Sequence, residues 1–306
     1  MIHTPIVAIQ GGLGNQLFQW FYAHGIPNTP EFALYAKYPE GPSTNVKREF
    51  GLAALIANCT HCRGLYEETA RPTKVNLIPQ ILDHLWGTAL LSRPLQSLGY
   101  FQGDVQRNAN ANGSRPKRPI YVNGYFQKWQ YAKNHQRWIH SELLPVLRTL
   151  HSELSKRFDL SQPYTVIHVR RGDYRADQNP LAWIGCLADE YFIQWAKEHP
   201  SNRFVLLTEH QSEVEDLVSA IQPALVLDNA STTPWETLAI MSSATTFLGS
   251  NSSLSWWGAW TASINGASTF LPSKWDVMGR FNPADFLFPE CTPCTPVWES
   301  FPNSIE

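Results

Sequence analysis

Residues 164–174 read YTVIHVRRGDY, an apolar run that ends in a histidine and two adjacent arginines. The run 164–169 is short and rich in β-branched residues, which predicts a buried strand. Arg170 and Arg171 follow directly after it. Because a buried guanidinium is costly unless it is paired, these arginines predict either an anionic ligand or a carboxylate partner at the strand end. A diphosphate fits two guanidinium forks, and Asp173 is the nearest carboxylate in the sequence.

Downstream of this stretch, apolar runs alternate with helical patterns. Two helix starts carry a capping box, in which Ser212 and Thr233 each precede a glutamate, Glu215 or Glu236, by three positions. Apolar strands that alternate with helices predict an α/β fold with a doubly wound parallel sheet, and ligands bind such sheets at the carboxyl ends of the strands. The predicted strands are 203–207, 224–227, 245–248 and 268–271, and the predicted helices are 191–199, 212–221, one from 234, and 252–263.

The amino-terminal half is less regular. Predicted strands lie at 5–9, 32–35, 75–78 and 119–123, with helices after the first strand and near 128–140 and 142–158. The tripeptide Ser-Gln-Pro at 161–163 separates the last of these helices from the strand before the arginines. Since 306 residues are more than one domain usually needs, we predict two domains, 1–160 and 161–306.

A second strand-to-helix junction, residues 249–260, reads GSNSSLSWWGAW. Free N–H groups and the dipole at a helix N-terminus favour an anion, and the hydroxyls of Ser252 and Ser253 add donors. An ordinary serine N-cap explains one serine but not the whole run that begins at Asn251. We therefore predict that this junction binds an anion together with the arginines.

The loop GGLGNQ, residues 11–16, is a third candidate. Glycines such as Gly12 and Gly14 let a ligand approach the backbone closely. The dinucleotide fingerprint G-x-G-x-x-G is not present, because position 16 is Gln. The chain also contains no Asp-x-Asp pair to hold a divalent ion against a diphosphate. We therefore expect no metal at the site, with arginines and a helix N-terminus supplying the electrostatic stabilisation.

Composition and charge exclude several partners. The chain is 43% hydrophobic and 16% charged, which is typical of a globular protein. A net charge of −2 provides no general surface for nucleic acid or membrane. No run of about 18 apolar residues occurs, so no transmembrane helix is expected. The start lacks the features of a signal peptide, and we expect a protein of the cytoplasm, free or peripheral to the membrane.

The five cysteines leave three interpretations open. Cys59 and Cys62 form one C-x-x-C pair, and Cys291 and Cys294 form another. Two such pairs match the ligands of a structural zinc site, and thiols at this spacing also form disulfides. The third interpretation is thiols without a role, because no other part of a zinc-finger pattern accompanies them.

The motifs GGLGNQLFQ, GYFQ, HVRRGDY and NSSLSWWGAW, in this order, resemble the α-1,2-fucosyltransferases of glycosyltransferase family 11. The resemblance runs from Gly11 to about Trp275. It implies a GT-B fold, with two Rossmann-like domains that face a central cleft. The carboxyl-terminal domain would hold GDP-fucose, and the amino-terminal domain would shape the acceptor site. The implied reaction moves L-fucose from GDP-β-L-fucose to the 2-hydroxyl of a galactose-terminated oligosaccharide, with inversion and without metal or another cofactor.

The resemblance also implies roles for particular residues. Arg170 and Arg171 would bind the diphosphate, and Asn15 would face the fucose. Glu236 has two interpretations, as a carboxylate that reads guanine or as the second half of the capping box. The implied donor-binding residues are Gly12, Gly14, His168, Arg170, Arg171, Glu236, Asn251, Ser252 and Ser253, and the implied catalytic residues are Asn15, Arg170, Arg171, Asp173 and Glu209.

The chain departs from the family pattern where Ser-Asp-Asp usually follows the second strand of the donor domain. Here the residues are Thr208, Glu209 and His210. The general base therefore stays open among Glu209, His210, Asp173 and Asp177, and Asp173 is equally suited to orient an arginine. Two other functions are considered, an inverting GT-B transferase for another nucleotide sugar and a non-catalytic glycan-binding protein. The second is favoured only by the aromatic content.

Overall fold

Two parallel sheets, one in each part of the chain, form the scaffold of the protein. The computed structural model separates by its internal contacts into two units, Met1–Leu143 and Leu144–Glu306. The predicted α/β fold, with a Rossmann-like unit in each part, is confirmed. The facing of the two units across a cleft stays a prediction. The residues described are 4–26, 31–36, 49–57, 59, 61–67, 101–103, 121–175, 182–201 and 203–300.

The described residues of the first unit form a five-stranded sheet. Its elements are β1 (Ile6–Ile9), α1 (Leu13–His24), β2 (Phe32–Ala36), α2 (Ala53–Ile56), β3 (Cys62–Glu67), β4 (Phe101–Gly103), β5 (Tyr121–Gly124), α3 (Trp129–Asn134), α4 (Gln136–Trp138) and a π-helical segment (Ile139–Leu143). The strand order is β3–β2–β1–β5–β4, and every pairing is parallel. Helix α1 follows the central strand directly and is buried along most of its length, so it forms the core with the sheet. The strand predicted at 75–78 lies outside the described residues.

The second unit is built on a six-stranded sheet. Its elements are α5 (Leu144–Arg157), β6 (Thr165–His168), α6 (Asp189–Glu198), β7 (Phe204–Leu207), α7 (Glu215–Ile221), β8 (Leu225–Leu227), α8 (Pro234–Ser242), β9 (Thr246–Leu248), α9 (Ser253–Ile264), β10 (Ser268–Pro272), α10 (Pro283–Phe286) and β11 (Cys291–Cys294). The order is β11–β10–β9–β6–β7–β8, again with parallel pairings. The doubly wound sheet predicted from the alternating pattern is present.

The division between the units differs from the predicted one. It falls before α5, between Leu143 and Leu144, whereas the predicted domains divide between residues 160 and 161. Helix α5 packs against α8, which explains why it belongs to the second unit. The functions assigned to the two domains stay predictions.

One predicted helix start is wrong. The segment Gln211–Glu213 forms a separate 3-10 turn, and α7 begins only at Glu215, with no side-chain hydrogen bond at its N-cap. Ser212 therefore forms no capping box. The 3-10 turn is instead bound to the loop after β6. There the backbone N–H of Gly172 donates a hydrogen bond to the carboxylate of Glu213 at 3.1 Å.

The second C-x-x-C pair forms an edge strand that the sequence analysis did not predict. Strand β11 pairs with β10 alone, and Pro293 is tolerated there because the outer side of an edge strand needs no N–H donor. All five cysteines are described, and each is a free thiol. Within the described ranges, no helix has the length and apolar character of a membrane span.

Candidate active site

Strands β6 and β9 lie side by side in the middle of the second sheet, and the chain leaves them in opposite directions. From β6 it continues outward through β7 and β8, and from β9 it continues through β10 and β11 on the other side. Such a reversal is the switch point of a doubly wound sheet, where ligands bind outside the carboxyl ends of the strands. The loop after β6 carries both arginines, and the loop after β9 carries the serines. The fold thus brings the two candidate motifs to one place.

His168, the last residue of β6, joins these two loops. Its Nδ1 lies 2.5 Å from the Oγ of Ser255 in α9, and the same oxygen accepts a hydrogen bond from the N–H of Ser250 at 3.1 Å. Burial lowers the pKa of His168 from its ordinary 6.5 to about 3, and the charge of Arg170 contributes. The imidazole is therefore neutral near pH 7 and holds the two loops together. His168 is among the site residues predicted from the sequence, whereas Ser255 is not.

Arg170 is the second residue after β6 and is partly exposed. Its side chain is 17% exposed, and Nη1 donates to the carboxylate of Glu209 at the end of β7. The guanidinium lies 5.3 Å from the ring centre of Tyr174, whose hydroxyl donates to the backbone carbonyl of Asn251 at 3.4 Å. These contacts orient a partly exposed fork beside the loop that begins α9. A guanidinium in this position is suited to a phosphate group.

Arg171 points into the protein instead. Its side chain is 1% exposed, and its guanidinium donates to the carboxylate of Asp189 in α6 and to the backbone carbonyl of Glu213. A carboxylate oxygen of Glu299 lies 3.8 Å from its Nε. The sequence left open whether the arginines meet an anionic ligand or carboxylates of the protein, and for Arg171 the structure shows carboxylates. These contacts anchor the loop after β6 to three distant parts of the second unit.

The N-terminus of α9 presents backbone donors without a competing charge. Ser252 is the N-cap, and its Oγ accepts a hydrogen bond from the N–H of Ser255 at 3.1 Å. Ser253 is the first helical residue and is half-buried, and the described first turn contains no acidic side chain. This helix end therefore retains the partial positive charge that attracts an anion.

Asn251 acts inside the protein. Its side chain is buried, and its amide donates to the backbone carbonyls of Gly185 at 3.1 Å and Trp275 at 3.2 Å. It braces the loop after β9 against two neighbouring segments. The predicted contact between Asn251 and the sugar-nucleotide substrate stays a prediction.

Two of the four candidates for the general base, Glu209 and His210, have described side chains. Glu209 follows β7 and packs against Gly172, where a Cβ would collide with the carboxylate and where φ is +33°. His210 is exposed. The side chain of Asp173 and the whole of Asp177 lie outside the described residues. Among the candidates that the structure describes, Glu209 lies next to Arg170.

Glu236 forms the capping box predicted for α8. Its carboxylate accepts from the N–H of Thr233 at 2.8 Å, its own N–H donates to the Thr233 hydroxyl at 3.3 Å, and Arg157 pairs with it at 2.5 Å. Burial acts to raise the pKa of Glu236, but the hydrogen bonds from Thr233 and the Arg157 charge outweigh it and leave the pKa lowered. The capping interpretation is thus confirmed, and the reading of guanine stays a prediction.

In the first unit, the loop after β1 carries the predicted glycines and Asn15. Gly12 is the N-cap of α1, Gly14 is buried in the first turn, and Asn15 is half-buried. The Oδ1 of Asn15 accepts a hydrogen bond from the Nε2 of Gln127 at 2.7 Å. The polar side chains of this loop are neutral amides, whereas those of the loop after β6 are charged.

Two further amides of α1 were quoted in a motif but given no role by the sequence analysis. Gln16 donates to the backbone carbonyls of Gly11 and Glu49 at 2.8 Å and accepts from the N–H of Gly51 at 2.8 Å. Gln19 donates to a backbone carbonyl of β5 at 3.1 Å. The spacing of Gln16 and Gln19 within a helix is the signal that indicates a shared, buried polar face.

The switch point of the second sheet carries a partly exposed arginine and a helix N-terminus with no acidic side chain in its first turn, features that are typical of anion sites in α/β proteins. The family model described as Glycosyl transferase family 11 matches residues 104–278, and the chain belongs to this family. The protein is therefore a glycosyltransferase.

Two relatives from Escherichia coli are similar in sequence. An alpha-1,2-colitosyltransferase is 24% identical over 96% of this chain and 97% of its own length. The O-antigen biosynthesis glycosyltransferase WbnK is 25% identical over 36% of this chain and 38% of its own length.

Two solved structures are also similar. The fucosyltransferase NodZ from Bradyrhizobium has 13% identity and a TM-score of 0.48, over 84% of this chain and 91% of NodZ. A family 9 glycosyl transferase from Veillonella parvula has 8% identity and a TM-score of 0.48, over 96% of this chain and 87% of that one. The fold assignment rests on the two parallel sheets of the chain itself.

Proposed function

We propose that the protein transfers L-fucose from GDP-β-L-fucose to the 2-hydroxyl of a galactose-terminated oligosaccharide, with inversion to the α-linkage. The observation that carries the proposal is the position of Arg170, a partly exposed guanidinium at the switch point, beside the N-terminus of α9. The α-1,2 linkage is supported by the sequence motifs and by the name of the relative that aligns with 96% of the chain.

In this proposal the residues of the second unit stabilise the departing GDP. Negative charge grows on the diphosphate as its bond to the anomeric carbon breaks, so donors already aimed at it lower the barrier. Arg170 and the first turn of α9 contact the diphosphate, while His168 and Arg171 position the two loops. Glu209 is proposed to orient Arg170 and to lie near the hydroxyl proton that must be removed. Asn15 is proposed to bind the transferred sugar.

The proposed reaction uses no divalent ion. The reason is the lack of an Asp-x-Asp pair in the sequence together with the arginine and helix N-terminus at the switch point. Adding Mg²⁺ or Mn²⁺ to a metal-free assay should change kcat/KM by less than about twofold, since the leaving group is already stabilised by the protein. A strict requirement for either ion would remove this part of the proposal.

A donor and acceptor panel tests the reaction as a whole. GDP-fucose, GDP-mannose and UDP-galactose are each offered with β-1,3- and β-1,4-linked galactosides and with a glucoside as control. The proposal expects transfer from GDP-fucose to a galactoside only, with an α-1,2 linkage in the NMR spectrum of the product. Transfer to another hydroxyl, or GDP binding without transfer to any acceptor, would contradict it.

A second candidate donor is GDP-colitose, because the relative aligned over 96% of the chain is named as a colitosyltransferase. Colitose is fucose without its 3-hydroxyl group. A site that hydrogen-bonds this hydroxyl rejects the deoxy sugar strongly, whereas a site that does not will accept both. The ratio of kcat/KM for the two donors decides between them, and the fucose proposal expects at least about tenfold in favour of GDP-fucose.

A further inference from the structure

Three potential metal ligands from distant parts of the first unit converge near the end of α1. They are His24, Cys59 and Glu142, whose ligand atoms all lie within 4.8 Å of one another. The Nε2 of His24 lies 3.4 Å from Oε2 of Glu142. Ligand atoms around a tetrahedral zinc ion lie about 3.3–3.6 Å apart, as follows from Zn–N, Zn–O and Zn–S bonds of about 2.0–2.3 Å. The histidine and the glutamate already have this spacing.

His24 is held in one orientation, and the nearest described acceptor to its Nε2, Oε2 of Glu142 at 3.4 Å, is not placed for a hydrogen bond. Its side chain is 1% exposed, and among the described residues nothing forms a hydrogen bond with Nε2. The ring stacks on Trp138 at 4.6 Å and meets the rings of Trp20 and Phe32 edge-on at 5.2 and 5.1 Å. A buried polar atom without a hydrogen bond is costly, and a metal ion between Nε2 and the nearby carboxylate would satisfy both groups.

Glu142 reaches the cluster because the helix is interrupted. It lies in the π-helical segment Ile139–Leu143, and such segments occur frequently at functional sites. Its side chain is 8% exposed, and its Oε2 also accepts a hydrogen bond from Nε1 of Trp20 at 3.1 Å. A neighbour that orients a carboxylate in this manner is characteristic of metal sites.

We propose that His24, Cys59 and Glu142 bind a zinc ion. Imidazole nitrogen, thiolate and carboxylate are the three ligand types that zinc prefers, and they leave a fourth position open. The ion would connect the end of α1, the segment before β3 and the π-helical segment, so its role is to stabilise the first unit. This site differs from the zinc site and the disulfides considered from the sequence. It uses Cys59 of one C-x-x-C pair together with His24 and Glu142, and it uses no second cysteine.

The test uses the untagged full-length protein, stripped of metal and titrated with Zn²⁺ against a chromophoric chelator. Wild type should bind about one Zn²⁺ per chain. Cys59→Ser and Glu142→Gln should each weaken Zn²⁺ affinity at least about tenfold. Loss of a residue that only hydrogen-bonds to a metal ligand already weakens affinity by about this factor, and loss of a ligand should weaken it at least as much. The matched control is Cys294→Ser, in the other C-x-x-C pair and the other unit, which should bind as wild type does. Melting temperature should rise with Zn²⁺ in wild type and in the control, and it should rise less in Cys59→Ser and Glu142→Gln.

Cobalt identifies the ligand directly. Co²⁺ bound in place of zinc should show a thiolate-to-metal charge-transfer band in wild type and in Cys294→Ser, and Cys59→Ser should lack it. The proposal fails if wild type binds Zn²⁺ no more tightly than Cys59→Ser, if Cys294→Ser loses the site, or if no thiolate band forms. Glu142→Gln should still fold, because its amide oxygen remains an acceptor for Nε1 of Trp20.

Discussion

The loops after β1 and after β6 hold the same position at the carboxyl ends of parallel strands, and they differ in charge. The loop after β6 carries Arg170 and Arg171, with carboxylates around them. In the loop after β1 the described side chain of Asn15 instead meets the amide of Gln127. Ligands of doubly wound sheets bind outside such strand ends, and the side chains there determine which ligand is suited to the site. Guanidinium groups suit phosphate, whereas amides suit the hydroxyl groups of a sugar.

A similar difference separates the two neighbouring arginines. Arg170 is partly exposed and its Nη1 pairs with the carboxylate of Glu209, while Arg171 is buried among partners from three segments. Both residues lie in the loop after β6, and it is their surroundings that differ, because the side chain of Arg170 is 17% exposed and that of Arg171 is 1% exposed. The account therefore assigns phosphate binding to Arg170 and anchoring to Arg171.

The largest effect is expected for Arg170→Lys. Lysine retains the charge but not the planar fork, so the two-pronged contact with the diphosphate is lost. A charge-assisted hydrogen bond contributes about 1.5–3 kcal/mol, which predicts a loss of about 10–100-fold in kcat/KM. Steady-state kinetics with saturating acceptor measures it, and part of the loss should appear in kcat because the diphosphate gains charge as it leaves.

Arg171→Lys is the matched control for this variant. It should lower the free energy of unfolding by about 1–3 kcal/mol in urea, because a lysine cannot reach all the partners of the buried fork. In the folded variant kcat/KM should change by less than about threefold. The opposite result, with Arg171→Lys inactive and Arg170→Lys unaffected, would reverse the assignment of the two arginines.

Acid should destabilise the second unit through His168. The unfolded chain binds a proton on this histidine below its ordinary pKa of 6.5, whereas the folded protein stays neutral there down to about pH 3. The stabilising contribution is therefore complete above pH 6.5 and is lost as the pH falls toward 3, by about 1.4 kcal/mol for each pH unit.

His168→Asn should flatten this pH dependence while it keeps a hydrogen bond to Ser255. Urea unfolding of wild type and variant between pH 7 and pH 4, about the span in which histidine titrates, gives the two slopes. Equal slopes would show that the histidine is not buried in its neutral form, and the account of the loop junction would be wrong.

Asn15→Ala separates the roles of the two loops. Loss of one neutral hydrogen bond, about 0.5–1.5 kcal/mol, predicts a fall of about 2–10-fold in kcat/KM for sugar transfer. GDP affinity, measured by calorimetry, should not change, because the loop after β1 carries no charge for the diphosphate. A large fall in GDP affinity would contradict the division of labour between the loops.

The smallest effect is expected for Glu236→Gln. Glutamine preserves the capping box, and the ion pair with the exposed Arg157 contributes less than about 1 kcal/mol. Unfolding in urea should therefore change by no more than this, and GDP affinity should stay as in wild type. If GDP affinity falls more than about tenfold, the Glu236 carboxylate also binds guanine in addition to capping α8.

Five strands of the second sheet and its parallel, doubly wound class were predictable, because the apolar runs are distinct and are interrupted by helices. The site at β6 and β9 followed from the same pattern, since parallel strands place their loops at one edge. The Thr233 capping box was also predictable, because both of its members lie within one turn of the helix.

The partners of buried polar groups were not predictable. Arg171 pairs with Asp189 rather than with a residue next to it, and this choice depends on how α6 packs against the sheet. The failure of the Ser212 box has the same origin, because Glu213 is drawn to the loop after β6. The convergence of His24, Cys59 and Glu142 likewise depends on a π-helical segment that no local pattern indicates.

Calorimetric titration with GDP and with GMP tests the central claim most directly, that Arg170 binds the diphosphate at the switch point. The two nucleotides share guanine and ribose, so their difference isolates the second phosphate. The account predicts that wild type binds GDP at least about tenfold more tightly than GMP, and that Arg170→Lys removes most of this difference while Arg171→Lys retains it. Equal affinity of wild type for GDP and GMP, or a difference that survives in Arg170→Lys, would contradict it.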